Sequence, residues 1–149
     1  MGQINKFIEK NKKYSTDILR IAVSIVFLWF GISQIINPES FLGYLPQWLY
    51  QQGPGMMGHM KFIQPSSFSY VFIFLNGIFE TVFGSLLLAG FYTRISAFLL
   101  ALHLFGISFS LGYNDISVRD FALALATASL IFSGAGEFSL DKKFKKEKS

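Results

Sequence analysis

Residues 18–36 read ILRIAVSIVFLWFGISQII, an apolar stretch of 19 residues that carries one charge, Arg20. At 1.5 Å per residue, an α-helix of this length spans about 28 Å, which is close to the hydrocarbon thickness of a bilayer. Asn37 and Pro38 follow directly, and the residue before a proline is disfavoured in a helix. The stretch therefore predicts a membrane-spanning helix that ends at residue 36.

Three further apolar stretches have lengths that suit a bilayer. We expect them to form helices over residues 68–91, 95–111 and 118–134. The predicted fold class is therefore all-α, a polytopic bundle of four transmembrane helices. Residues 1–141 would form a single membrane domain, and residues 142–149 a basic cytoplasmic tail.

The composition of the 149-residue chain favours the same class. Hydrophobic residues make up 52% of the chain and charged residues 15%, whereas about 25% of the residues in a soluble domain are charged. A lipid bilayer is the expected environment for so much apolar surface. Cysteine is absent, which excludes disulfides, thiolate catalysis and iron–sulfur ligation by this chain.

The distribution of Lys and Arg predicts the orientation of the helices. Eleven of these residues fall in the N-terminal segment, in the turn after the second helix and in the C-terminal tail, whereas Lys61 and Arg119 fall on the opposite side. Basic residues are enriched on the cytoplasmic side of membrane proteins. Both termini are therefore expected in the cytoplasm. We interpret the net charge of +4 as a topology signal and expect no nucleic-acid binding.

Glu80, Asn76 and His103 form the candidate intramembrane polar site. A carboxylate in lipid must be neutral, paired or in contact with water, and Asn76 lies one helical turn before Glu80. The tight turn after the second helix predicts antiparallel neighbours, which brings Glu80 and His103 within about 4–5 Å in depth. Such a pair can handle protons or bind a quinone. The alternative is a structural hydrogen bond between helices.

Arg119, Asp120 and Arg94 form a second candidate site, at the membrane interfaces. Residues 117–120 match the capping-box pattern, so Asp120 is expected to cap the fourth helix. Arg119 gains nothing from that helix dipole, and it is expected to pair with an acidic group or to contact an anionic headgroup or substrate. Arg94, in the turn, is most simply a cytoplasmic anchor.

The long connection over residues 38–67 begins with aromatic and apolar residues, which predict a short interfacial helix. It later contains Met56, Met57, His59 and Met60. Thioether and imidazole groups suit Cu(I), but flexible Met-rich loops also occur without metal. No metal site is therefore predicted.

Small residues at a spacing of four predict close helix packing, because they let transmembrane backbones approach each other. One such row lies on the second predicted helix and two shorter rows lie on the fourth. They are Gly77, Thr81, Ser85 and Ala89, then Ala122 with Ala126, and Ala124 with Ala128.

Four pieces of the sequence are similar to the motifs of one membrane-protein family. They are LRIAVSIVFLWFGISQIINP (19–38), NGIFETVFGSLLLAGFYTR (76–94), VRDFALAL (118–125) and SGAGEFSLD (133–141). On these pieces the chain resembles the DoxX family of small bacterial and archaeal membrane proteins over residues 18–141. The second and fourth pieces are the more specific.

The resemblance implies a four-helix bundle in the plasma (inner) membrane of a bacterium or archaeon, associated with redox systems. Relatives occur as the small subunit of a terminal quinol oxidase or a thiosulfate:quinone oxidoreductase. Gln34 stands where relatives often have Lys, so a role for a cation is not carried over to this position. The matched polar residues are Arg20, Glu80, Thr93, Arg94, Ser139 and Asp141.

Three functions are consistent with the sequence. The first is an accessory subunit of a quinone-linked or other membrane oxidoreductase, with quinone as the candidate cofactor and a membrane protein or a second copy of the chain as partner. The second is a membrane scaffold or assembly factor without chemistry, and the third is a carrier for a small solute or lipid. No haem, flavin or nucleotide motif is visible, so we do not expect autonomous catalysis.

Overall fold

The computed structural model describes residues 2–45, 50–52, 63–65 and 67–147, with side-chain surroundings over 2–45 and 68–147. Six α-helices are present in these ranges: α1 Gly2–Asn11, α2 Ser15–Ile36, α3 Ser67–Ala89, α4 Thr93–Leu111, α5 Asp115–Ser133 and α6 Leu140–Glu147. Two 3₁₀ helices, Lys12–Tyr14 and Pro38–Tyr44, join α1 to α2 and follow α2. The second of these is the short helix that the aromatic residues predict.

The connection between α2 and α3 also contains two short antiparallel strands, β1 Tyr50–Gln52 and β2 Ile63–Pro65. The Met-rich stretch over residues 56–60 lies outside the described residues. The hypothesis of copper binding there stays untested.

The helices α2 to α5 are long and apolar enough to cross a membrane, and the helical segment before α2 continues into it. Large apolar side chains cover the outside of the bundle. Trp29 is 72% exposed and Phe132 is 83% exposed, which in water would leave aggregation-prone patches. A bilayer covers this surface, so the protein is a multi-pass membrane protein and the predicted fold class is confirmed.

The closest helix crossing joins α2 and α3. A Cβ atom built on Gly31 would lie 2.8 Å from the carbonyl oxygen of Gly77, and one on Gly77 would lie 2.7 Å from the carbonyl oxygen of Gly31. The two backbones therefore meet at a point where only glycine fits. The helices α4 and α5 pack against each other about as extensively as α2 and α3, and the contacts of α3 with α4 and of α2 with α5 close the bundle.

The predicted row of small residues on α3 is correct at Gly77 and Thr81, both of which approach Gly31, and wrong beyond them. Ser85 and Ala89 are exposed. The contact line continues instead through Gly84, seven residues after Gly77, where a Cβ would lie 3.1 Å from Phe27 Cβ. At 3.6 residues per turn, seven residues return to the same face, whereas repeated steps of four rotate away from it. On α5, likewise, Ala124 is buried but Ala122 is exposed.

The predicted capping box on α5 is wrong. The helix begins at Asp115, and its N-cap is Asn114, whose side chain accepts a 2.9 Å hydrogen bond from Ser117 N–H. Asn is among the strongest N-cap residues, so the helix starts a turn earlier than predicted. Asp120 lies inside the helix, where its carboxylate pairs with Arg119 and caps nothing.

The connection between α3 and α4 is a tight turn with two left-handed residues, Gly90 at φ +66° and Tyr92 at φ +49°. Its first residue ends α3 at Ala89, two residues earlier than the hydropathy predicts. Asp141 holds the turn, since its carboxylate accepts hydrogen bonds from Tyr92 N–H at 2.8 Å and Thr93 N–H at 2.9 Å. Asp141 is therefore a helix cap for α4 supplied by a distant segment.

A buried ion pair docks the C-terminal segment on the same end of the bundle. Asp17 is 2% exposed and Arg20 is 1% exposed, and their side chains lie 3.3 Å apart. The Asp17 carboxylate accepts from the N–H groups of Glu137 at 2.8 Å and Phe138 at 3.0 Å. The ring of Phe138 stacks on Tyr14, with centroids 5.4 Å apart. The start of α2 and the end of α5 thus lie at one end of the bundle.

Candidate functional site

The polar cluster in the middle of the bundle is centred on Glu80 of α3, which is 4% exposed. Its carboxylate accepts 3.1 Å hydrogen bonds from the side-chain amides of Asn76, one turn earlier, and of Gln34 on α2. The Asn76 amide also donates to Gln34 Oε1 at 2.7 Å. The two amides fix the Glu80 carboxylate in one orientation and supply part of the solvation that lipid cannot provide.

His103 on α4 completes the cluster. Its Nε2 lies 3.5 Å from Glu80 Oε1, and its ring packs against Phe79 with centroids 4.8 Å apart. The geometry makes no hydrogen bond, so Nε2 is a buried polar atom without a hydrogen-bond partner among the described side chains. The proximity of Glu80, Asn76 and His103 predicted from the sequence is therefore present in the structure.

Gln34 is the member of the cluster that the sequence did not assign to it. It stands two residues before the end of α2, where a polar side chain is ordinarily explained by the membrane interface. Its 6% exposure and its bond to Glu80 show that it faces the bundle interior. Its contact with Glu80 depends on the crossing of α2 and α3 at Gly31, three positions earlier, which the sequence alone does not reveal.

A cavity of about 470 Å³ opens beside the cluster, within the range of roughly 300–1,000 Å³ that small-molecule sites occupy. Gln34, Asn76, Glu80 and His103 form its polar end. Most of the remaining wall is apolar and comes from all four spanning helices and the 3₁₀ helix after α2. It includes Val26, Phe30, Phe41, Phe79, Leu102, Ile107 and Leu123.

Arg119 and Asp120 line the same cavity near the start of α5. The Arg119 guanidinium lies 2.8 Å from Asp120 Oδ1 and 5.1 Å from the centre of the Phe30 ring. His103, which contacts Glu80, is eight residues before the end of α4, and Arg119 is four residues after the start of α5. Because a short turn joins these two antiparallel helices, a rise of 1.5 Å per residue separates the two polar groups by about 6 Å in depth.

Arg94 does not belong to this site. It is exposed in the first turn of α4, at the opposite end of the bundle, near the backbone of Gly134. The structure thus brings together five of the six sequence-predicted residues around one cavity and leaves Arg94 outside. Across the described ranges, no group of three or more His, Cys, Asp or Glu side chains could hold a metal ion.

The comparisons with known proteins cover the helices that build the cluster. The DoxX family model matches residues 15–112, which span α2, α3 and α4. This chain belongs to the DoxX family. Two of the four similar pieces of sequence, 118–125 and 133–141, lie beyond the matched range. Gln34, Glu80 and His103 all lie within it.

This DoxX protein is also similar to the uncharacterized membrane protein Rv3486 of Mycobacterium tuberculosis (strain H37Rv). The two are 27% identical over 145 residues, and the alignment covers 86% of this chain and 80% of the relative. No solved structure matches the chain at a significant level.

Proposed function

We propose that this DoxX-family protein is an accessory subunit of a quinone-linked oxidoreductase in a prokaryotic plasma membrane, and that it holds a quinone in its intramembrane cavity. One observation carries the proposal: an apolar cavity ends near the middle of α4 beside His103 Nε2, a buried polar atom without a hydrogen-bond partner among the described residues. A buried orphan of this kind costs free energy unless a ligand satisfies it.

The chemistry of the lining fits a quinone. The apolar and aromatic wall suits the ring and its hydrocarbon chain, and the polar end is small, as in most sites for apolar ligands. His103 can donate to a carbonyl oxygen, and the Glu80 carboxylate can accept from the hydroxyl of the reduced form. Gln34 and Asn76 orient Glu80. A bound quinone would supply reversible two-electron, two-proton chemistry at its oxygens.

The accessory role follows from what the chain can provide by itself. The sequence has no haem, flavin or nucleotide motif, and its cluster offers groups that bind and move protons but no electron donor. Electrons would therefore come from a partner protein in the same membrane. The lipid-facing sides of the bundle, rich in exposed Phe and Leu, are available for such a partner.

Organic extraction and mass spectrometry of protein purified gently from its own membranes test the proposal. We expect close to one quinone per chain in the wild type and at least a tenfold loss in Glu80→Gln. Ser85→Ala is the matched control, because Ser85 is an exposed residue one and a half turns along the same helix, and it should retain the quinone. No quinone in any sample, with a co-purifying protein in all of them, would contradict the proposal and favour a scaffold.

A further inference from the structure

A basic groove lies at the end of the bundle that carries both termini, between the end of α3 and helix α6. Its volume is about 490 Å³. Ala89 of α3 lines one side, and Lys142, Lys143 and Lys146 of α6 line the other. The intramembrane cavity shares no residue with it.

Two of these lysines lack a counter-ion. Lys142 pairs with Glu137, but Lys143 and Lys146 are exposed and form no ion pair with any residue in the described part of the chain. Uncompensated lysines only three residues apart on one helix face repel each other. The groove therefore attracts a group of opposite charge.

Glu137 lines the groove and pairs with Lys142, which leaves the charges of Lys143 and Lys146 without a counter-ion in the lining. Two further acidic side chains at this end of the bundle are engaged elsewhere. The Asp17 carboxylate accepts from two backbone N–H groups and contacts Arg20. The Asp141 carboxylate caps α4 through Tyr92 and Thr93. Neither can turn to the groove without breaking these contacts. Glu147, at the end of α6, does not line the groove, so the groove keeps an excess of positive charge that an anion from outside the chain can neutralise.

The position of α6 places the groove at the membrane surface. Asp141 ties its first turn to α4, and Phe144 packs edge-on against Phe91, with centroids 6.1 Å apart. Leu88 and Ala89, at the end of the spanning helix α3, are exposed toward the lipid. The groove thus opens where the acyl-chain region meets the headgroup region.

We propose that this groove binds the headgroup of an acidic phospholipid from the surrounding bilayer. Lys143 and Lys146 contact the phosphate, and the acyl chains lie along the exposed face at the end of α3. Lysine ammonium groups are effective point charges for phosphate. Basic clusters directly beside a membrane-spanning segment attract anionic lipids.

The N-terminal segment strengthens the attraction. It adds Lys6, Lys10, Lys12 and Lys13 at the same end of the chain's membrane domain. In α1, the exposed residues Ile4, Phe7 and Ile8 share one face, a pattern typical of helices that lie in the membrane interface. These charges raise the local concentration of acidic lipid near the groove.

Native mass spectrometry of the full-length protein in detergent tests the proposal, with phosphatidylglycerol and phosphatidylcholine of identical acyl chains as probes. The wild type should bind one phosphatidylglycerol in clear preference to phosphatidylcholine. The variant K143Q/K146Q should bind phosphatidylglycerol roughly 30-fold more weakly, since each basic residue near an anionic lipid surface contributes about a factor of five. R94Q/K145Q is the control, because it removes the same charge from exposed residues outside the groove lining and should change the affinity less than threefold.

Several results would overturn the proposal. Equal binding of the two lipids by the wild type would show that the groove does not select an acidic headgroup, and an equal loss in R94Q/K145Q would reduce the effect to general surface charge. Displacement of the lipid by an equal concentration of inorganic phosphate would identify a free-anion site. The comparison of phosphatidylglycerol with phosphatidylcholine binding by the wild type needs no variant, so it tests the proposal even if K143Q/K146Q fails to fold.

Discussion

The guanidinium of Arg20 donates a 2.6 Å hydrogen bond to the carbonyl oxygen of Phe138, which lies 118 residues further along the chain. It also donates to the carbonyl oxygens of Leu87, at 2.8 Å, and Leu88. The Leu87 and Leu88 carbonyls belong to the last turn of α3, where backbone acceptors have no partner within the helix. One buried side chain of α2 therefore joins α3 and the C-terminal segment to the first spanning helix.

We predict that Arg20→Lys destabilises the fold by about 2–4 kcal/mol, because an ammonium group cannot reproduce the planar fork that reaches three carbonyls and Asp17. Thermal unfolding in detergent measures the change. Arg94→Lys is the control, since Arg94 is exposed and should alter stability by no more than about 0.5 kcal/mol. Equal melting temperatures for the two variants would show that the Arg20 contacts do not hold the fold.

The crossing of α2 and α3 predicts a sharp dependence on glycine. Gly77→Ala should destabilise the bundle by about 1–3 kcal/mol, because the added methyl group meets the backbone of Gly31 at 2.7 Å and the helices must separate. Gly106→Ala is matched in chemistry but meets nothing within 4 Å, and it should leave stability unchanged or slightly raised. The same unfolding measurement distinguishes them, and a harmless Gly77→Ala would contradict the close crossing.

Asp141 provides a local test of the turn between α3 and α4. Asp141→Asn keeps the shape but removes the charge at the start of α4, so we expect a loss of about 1 kcal/mol and faster amide hydrogen exchange at Tyr92 and Thr93. Asp115→Asn removes a charge from the first turn of α5, where the residue is exposed. Exchange at Tyr92 and Thr93 should not respond to it. Protection that survives Asp141→Asn unchanged would rule out the cap.

The absence of cysteine makes the orientation of the helices directly testable. In intact cells, a membrane-impermeant maleimide should label Tyr113→Cys, which replaces a 99% exposed residue between α4 and α5. It should label Lys145→Cys, on α6, only after the membrane is permeabilised, since basic residues are retained inside. The reverse pattern would place both termini outside and invert the assignment.

Hydropathy predicts the spanning helices well because lipid imposes one demand on all of them, a long apolar stretch with its backbone bonds satisfied internally. Hydropathy does not locate the polar ends of the helices, because side-chain caps determine the residue at which such a helix begins or ends. Asn114 starts α5 three residues before the apolar pattern does. Asp17 precedes the predicted first helix, yet it is buried because two backbone N–H groups from the distant C-terminal segment reach it.

The candidate site was predictable to the extent that its members share two adjacent antiparallel helices. Glu80 and His103 have similar depths on α3 and α4, which fixes their proximity. Gln34 comes from α2, and its contact with Glu80 depends on the close approach of Gly31 and Gly77. Sequence spacing within one helix carries no information about such a crossing. The contact of Arg119 with Phe30 depends in the same way on the packing of α5 beside α2.

The central claim is that His103 holds a quinone at the polar end of the cavity. Isothermal titration calorimetry of a short-chain ubiquinone with the purified protein in detergent tests it directly. The account predicts saturable binding to the wild type and to Phe98→Leu, which alters an exposed residue of α4 outside the cavity lining. His103→Leu should weaken binding by about two- to tenfold, the effect of one lost hydrogen bond. No saturable binding to the wild type, or unchanged affinity in His103→Leu, would contradict the account.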